Sequence, residues 1–279
     1  MGKRNFREML EKKWNLGFFV CVGLDTDYEK IPEWFRNKRS SVKEAIWHYN
    51  QEIIEATHDL VCAYKPNIAF YEGQGIQGIL ALKATMELIK KYASDIPIIL
   101  DAKRADIGNT NRGYVQAAFE RYGVDAVTVH PYLGKEALQP FLDQTDKGII
   151  VLVRTSNPGA GEFQDLPIYG GILLYEMVAK RVAKHWNENN NCAVVVGATY
   201  PGELSNIRGL VGDMPILIPG IGAQGGDVEA TVKAGKDSNG RGMIINSSRG
   251  IIFASKDADF AEAARRETVK LTEMINRYR

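Results

Sequence analysis

The segment Asp101-Ala-Lys103-Arg-Ala-Asp106-Ile-Gly-Asn-Thr110 gathers two carboxylates, an ammonium and a hydroxyl directly behind an apolar run. If that run is a strand, its two-residue period puts Asp101 and Lys103 on one face and Ala102 on the other. Lys65 ends the preceding apolar run in Tyr-Lys-Pro-Asn and would bring a second ammonium to the same rim. Asp106 falls just past the strand, and Thr110 falls at the start of the next helix. A single Asp/Lys pair reads as readily as a structural ion pair. Two lysines alternating with two aspartates form a preorganised array that stability does not require. Such an array can stabilise a developing negative charge and deliver a proton to it.

The elements that must position these groups follow from hydrophobic patterning. Apolar runs at 18–25, 60–67, 96–103, 124–131, 148–155, 192–199, 214–221 and 242–249 are short and nearly continuous, as expected of parallel strands covered on both faces. Between them lie amphipathic stretches at 41–59, 75–93, 109–122, 134–143, 172–188, 201–211, 226–235 and 259–278. The first opens with Ser41-Val-Lys-Glu44, a capping-box pattern in which Ser41 accepts from the first turn and Glu44 reaches back. Eight βα units predict an α/β fold, a (β/α)8 TIM barrel occupying residues 1–279 as one domain, with an open doubly wound sheet as the alternative.

In such a barrel the active site lies at the C-terminal strand ends. Polar residues cluster there: Asp25, Lys65 and Asn67 early in the chain, Asp101, Lys103 and His130 in the middle, then Thr155, Ser156, Gln224, Ser248 and Arg249. His130 is open between a pocket-lining and a rim role. Gly220, Gly222, Gly225 and Gly226 let backbone amides approach an anion, and a helix starting near 226 offers its positive end. Alone the glycine turn is weak; with Arg249 beside it, it points to a phosphate site.

Composition narrows the remaining classes. Lys+Arg 35 against Asp+Glu 34 gives a net charge of +1, without the basic field that draws a protein to nucleic acid. No apolar run approaches a membrane span, and the start, MGKRNFREMLEKKW, lacks the apolar core of a secretion signal. Cys21, Cys62 and Cys192 each sit in apolar surroundings, which predicts core packing in a reduced, cytoplasmic protein. His48, His58 and His185 fall in helical stretches, and neither a metal-ligand spacing nor a dinucleotide fingerprint is present, so no metal and no cofactor are expected.

The pattern D-x-K-x-x-D-I-x-x-T, with Lys-Pro on the strand before it, resembles the orotidine 5′-phosphate decarboxylase family. Gly-Leu-Asp25, Ser156-Asn-Pro-Gly, Pro219-Gly-Ile-Gly222-Ala-Gln224-Gly-Gly and Ser247-Ser248-Arg249-Gly follow in the family's order, so the likeness spans residues 23 to 251. Insertions at 27–40 and 157–171 resemble the longer bacterial type. The resemblance implies a catalytic tetrad of Lys65, Asp101, Lys103 and Asp106. It implies a homodimer in which Asp106 and Thr110 complete the partner's site. Asp25 and Thr110 would bind ribose hydroxyls, Ser156 the pyrimidine, and Gln224 with Arg249 the phosphate, beside Gly222 and Ser248.

The implied substrate is a small nucleotide, orotidine 5′-monophosphate. Losing CO₂ from its C6 leaves an electron pair in the ring plane, which the ring cannot delocalise. The charge must be met from outside, and Lys103 can both pair with it and protonate it. A barrier reduction of about 20 kcal/mol or more exceeds what one lysine supplies, so remote phosphate binding must contribute. Two alternatives use the same barrel: a Mg²⁺-dependent sugar-phosphate lyase, such as a hexulose-phosphate synthase or ketogulonate-phosphate decarboxylase, and a silent nucleotide-binding barrel. Lys65 argues against the first, because an ammonium would repel the ion. The intact tetrad argues against the second.

Overall fold

The computed structural model describes residues 4–168, 170–221 and 226–279. Among these residues eight strands form: β1 (Val20–Gly23), β2 (Ala63–Lys65), β3 (Ile99–Arg104), β4 (Ala126–Val129), β5 (Gly148–Arg154), β6 (Cys192–Val196), β7 (Ile216–Pro219) and β8 (Met243–Ser247). Each lies within its apolar run or, for β3, one residue beyond it. They pair in parallel in the order β2-β1-β8-β7-β6-β5-β4-β3. Isolated bridges Tyr64↔Ile98 and Asn67↔Asp101 join β2 to β3 and close the ring. The closing seam therefore runs through the acid–lysine cluster.

Helices cover the outside at the expected stretches, among them Val42–Thr57, Gly75–Tyr92, Pro201–Val211, Val228–Gly235 and Phe260–Tyr278. The capping box is half as expected. Ser41 Oγ accepts from Glu44 N at 3.2 Å, but Glu44 Oε2 takes Ser40 N at 3.0 Å and Ser40 Oγ at 2.7 Å, one residue further back. Ser41 sits in extended backbone, and the carboxylate reaches over it.

Among the described residues one continuous apolar cluster runs from the helix Phe6–Asn15 through the strands to the last helix. The N-terminal helix docks at the end of the barrel away from the polar strand ends. Trp14 Nε1 donates to Met243 O at 2.9 Å, and Arg4 pairs with Asp125 at 2.7 Å. The three cysteines are buried with free thiols, and burial pushes Cys21 and Cys192 up to about 12. They are packing groups rather than nucleophiles. No described helix is long and apolar enough to cross a membrane.

Candidate active site

The C-terminal strand ends open into a cavity of about 510 Å³. Asp25, Lys65, Asp101, Lys103 and Thr128 line it from β1 to β4. Leu152, Val195 and Leu217 face it from β5 to β7, and Ser248 with Arg249 closes the circuit after β8. The β1 to β4 side is thus ionic, whereas the β5 to β8 side mixes these apolar side chains with polar ones that include Ser156, Gln164, Asn246 and Arg249. A planar ring of mixed polarity fits such a division.

Two positions show how local sequence shapes this mouth. A Cβ at Gly23 would fall 1.9 Å from Ser248 Oγ, so only glycine lets β1 and the end of β8 approach this closely. Likewise a Cβ at Gly197 would fall 2.7 Å from Ser156 Cβ, and Gly197 N donates to Arg154 O at 2.8 Å. Ser156 reaches the cavity because the neighbouring strand end carries no side chain there.

The ionic side centres on Asp101. Its Oδ2 accepts from Lys65 Nζ at 3.1 Å, and its Oδ1 accepts from Lys103 Nζ at 2.7 Å and from Thr128 Oγ1 at 2.8 Å. Lys65 Nζ lies 3.7 Å from Asp25 Oδ1, a buried oxygen with no hydrogen-bond donor among the described residues. Burial opposes charge on Asp101, yet the Lys65 and Lys103 cations outweigh it and hold the carboxyl well below its usual range. Burial also works to discharge Lys65, but Asp101 and then Asp25 overcome it and raise the ammonium above its ordinary value. Both groups are therefore ionised at neutral pH. The Lys65 side chain is 4% exposed and that of Lys103 48%, so only the second can meet a ligand freely.

Lys103 arrives here by a route that strand periodicity did not predict. Its φ is 47°, in the left-handed region, and the β3–β4 register jumps from Leu100↔Val127 to Arg104↔Val129. A bulge, rather than a regular pleat, aims the ammonium into the cavity. Thr128 holds this bulge and was not among the residues expected from sequence. The available signal was a hydroxyl at an inward position of β4, a strand otherwise built of Val and Ala.

The other expected residues divide. Asp106 and Thr110 do not line the cavity of their own chain. Asp106 Oδ1 accepts from Ile107 N at 2.6 Å, and buried Asn111 clamps the turn by accepting from Asp106 N at 2.9 Å and donating to Asp106 O at 2.6 Å. His130 stands on the rim, its backbone N donating to Arg104 O at 3.2 Å, and it does not line the cavity. Gly222 and Gln224 lie outside the described residues. Gly220 and Ile221, which precede them in the chain, do line the cavity, as does Arg249.

Sequence reasoning also missed Gln164 and Asn246, both cavity-lining. Gln164 belongs to the insertion after β5. Its Oε1 accepts from Thr155 N at 2.9 Å and its Nε2 donates to Thr155 Oγ1 at 2.9 Å. Buried Arg154 pins the same insertion through Asp165 at 3.0 Å, with its guanidinium 4.4 Å from the Tyr200 ring. No strand-end rule reaches a residue ten positions past its strand.

Residues 19–265 match the model of the orotidine 5′-phosphate decarboxylase / HUMPS family. The chain belongs to this family. It is 50% identical over 273 residues to an orotidine 5′-phosphate decarboxylase of Cellvibrio japonicus, covering 98% of each chain. Among solved structures it is similar to an OMP decarboxylase of Leishmania donovani, with a TM-score of 0.83, 35% identity and coverage of 97% of this chain and 98% of that one. It is also similar to a UMP synthase of the same organism, with a TM-score of 0.85 and 37% identity. There it covers 98% of this chain and 57% of the other, so the family fold is one part of that longer protein.

Proposed function

We propose that this chain decarboxylates orotidine 5′-monophosphate to uridine 5′-monophosphate and CO₂, the last step in making the pyrimidine nucleotide, with Lys103 as proton donor. The carrying observation is that one carboxylate, Asp101, bonds both lysines while the Lys103 ammonium stands half-exposed in the cavity. The relatives' shared activity supports the same reading.

The chemistry follows from the charges. As the C6–carboxylate bond breaks, its electron pair stays on C6 and CO₂ departs. Lys103 Nζ–H then forms the new C6–H bond, and the lysine regains a proton from solvent. Asp101 keeps the ammonium in place beforehand, so little reorganisation is needed as charge develops. The departing carboxylate would sit near the apolar side chains of Leu152, Val195 and Leu217, where neutral CO₂ is the better-solvated species.

Remote binding is assigned by position. Arg249, with Ser248, Gly222 and Gln224, takes the phosphate; Ser156 takes the pyrimidine; Asp25 takes a ribose hydroxyl. Lys65 occupies the space between the Asp25 and Asp101 carboxylates, where a divalent ion would otherwise be held. Turnover should therefore proceed without one.

Asp106 and Thr110 act in a homodimer, each completing the partner's site. Supporting this, both lie outside their own cavity, and Ile107, Tyr132 and Leu133 are exposed on the same rim, where the helix Gly108–Val115 packs on Gly134–Leu142. Residues 1–279 then act as one catalytic domain in the cytoplasm.

The direct test is turnover of orotidine 5′-monophosphate, followed by loss of absorbance, with and without exhaustive chelation. Activity that survives chelation supports the proposal. Turnover that needs Mg²⁺, or a chain that turns over hexulose phosphates instead, would replace it with the metal-dependent branch of the family.

A further inference from the structure

Thr128 lies within β4 among Ala126, Val127 and Val129, and is 1% exposed. Its hydroxyl makes three hydrogen bonds at once. It accepts from Ala102 N at 3.0 Å and from Lys103 N at 2.9 Å, and it donates to Asp101 Oδ1 at 2.8 Å. A hydroxyl has one proton and two lone pairs, so every position is committed. The proton goes to the carboxylate, which leaves the lone pairs for the two amides.

Two consecutive amides cannot aim at one acceptor from an extended strand, where successive N–H groups point to opposite sides. They do so here because β3 advances from Leu100 to Arg104 while β4 advances from Val127 to Val129, and because Lys103 takes a φ of 47°. A side-chain-bearing residue in that region persists where its surroundings over-determine it. Thr128 supplies that determination. Its oxygen stands in for the ladder partner the bulge removes, and its proton fixes the same Asp101 oxygen that receives Lys103 Nζ.

We infer that Thr128 is a positioning residue for the decarboxylation: its hydroxyl holds the Asp101–Lys103 segment in the bulged form that places the ammonium on the reacting carbon. This rests on the proposed reaction. The hydroxyl need not touch the substrate. Its effect should fall on the chemical step, because Lys103 acts on charge present in the transition state, whereas nucleotide affinity comes from groups elsewhere in the cavity.

The test compares T128V, which keeps the shape and removes the hydroxyl, with T128S, which keeps the hydroxyl. For each, kcat for orotidine 5′-monophosphate, Kd for uridine 5′-monophosphate and the unfolding midpoint are measured. T128V should lose about thirtyfold or more in kcat, the scale of one charge-assisted hydrogen bond, while its Kd for the product stays within about threefold. T128S should remain within about fivefold of the parent in kcat, since its hydroxyl can adopt the same three bonds. The inference is overturned by a T128V that keeps kcat within about threefold, by a T128S as slow as T128V, or by kcat and product affinity falling together, which would mark general damage to the site. If T128V does not fold, T128A removes the same hydroxyl without the branched side chain and is read by the same criteria. A parent enzyme inactive on orotidine 5′-monophosphate would defeat the proposed reaction itself, a result separate from any difference among these variants.

Discussion

Lys103 Nζ lies 2.7 Å from Asp101 Oδ1, although the lysine's backbone sits at a φ of 47° that a regular strand would not allow. The ammonium is therefore set against its carboxylate by a bulge. Lys103→Ala should abolish turnover while uridine 5′-monophosphate still binds, because the lysine acts on transition-state charge and the phosphate is held elsewhere. A variant retaining even about a hundredth of the parent kcat would rule Lys103 out as proton donor.

Arg249 stands exposed at the cavity rim after β8. Arg249→Ala should lower kcat/KM for the nucleotide by about 2 kcal/mol, roughly thirtyfold, the scale of a hydrogen bond to a charged group. For orotidine without its phosphate the loss should largely vanish. Equal losses for nucleoside and nucleotide would show that Arg249 does not contact phosphate.

Opposite pKa shifts on Asp101 and Lys65 define where the cluster contributes stability. Asp101 is held below its ordinary 3.8, so its contribution is present above that value and is lost as pH falls through the lower folded value. Lys65 is raised above its ordinary 10.5, so its contribution is complete below that value and is lost as pH rises through the higher folded value. Between about pH 5 and 9 neither group should tilt the unfolding midpoint. Asp101→Asn should remove part of the acid-side loss and, by taking away the main support of the Lys65 charge, lower its folded value toward the ordinary 10.5 and so shrink the alkaline loss. Melting curves across pH read both limbs; an unchanged alkaline limb would mean that Asp25 alone keeps Lys65 charged.

The position of Asp106 outside its own cavity leads to a complementation test. Lys103→Ala and Asp106→Asn, each inactive, are mixed under conditions that exchange subunits. In the proposed homodimer random pairing makes about half the dimers mixed, and each mixed dimer has one intact site, so about a quarter of all sites should regain parental turnover. Tagged chains confirm the exchange. Exchange without recovery would place Asp106 in the site of its own chain.

Much of the fold was legible because each element carries its own signal. Continuous apolar runs gave the strands within a few residues, and Ser41 capped its helix as expected from local chemistry. Bounds were least legible where the deciding contact is not local. Glu44 chose Ser40 over Ser41, and β3 runs one residue past its apolar run, to Arg104, which β4 pairs at Val129.

The sequence by itself determined which charged groups stand at the strand ends, since residue type, two-residue alternation and βα order all act over short distances. It thereby put Lys65, Asp101 and Lys103 near one another. Tertiary structure decided how they are held. Closure of the ring brings Asn67 against Asp101, β4 delivers the Thr128 hydroxyl to two amides of β3, and the insertion after β5 folds Gln164 back onto Thr155. These contacts join residues whose separation along the chain carries no periodic signal, and they form because a buried amide or carboxylate must find a partner once water is excluded.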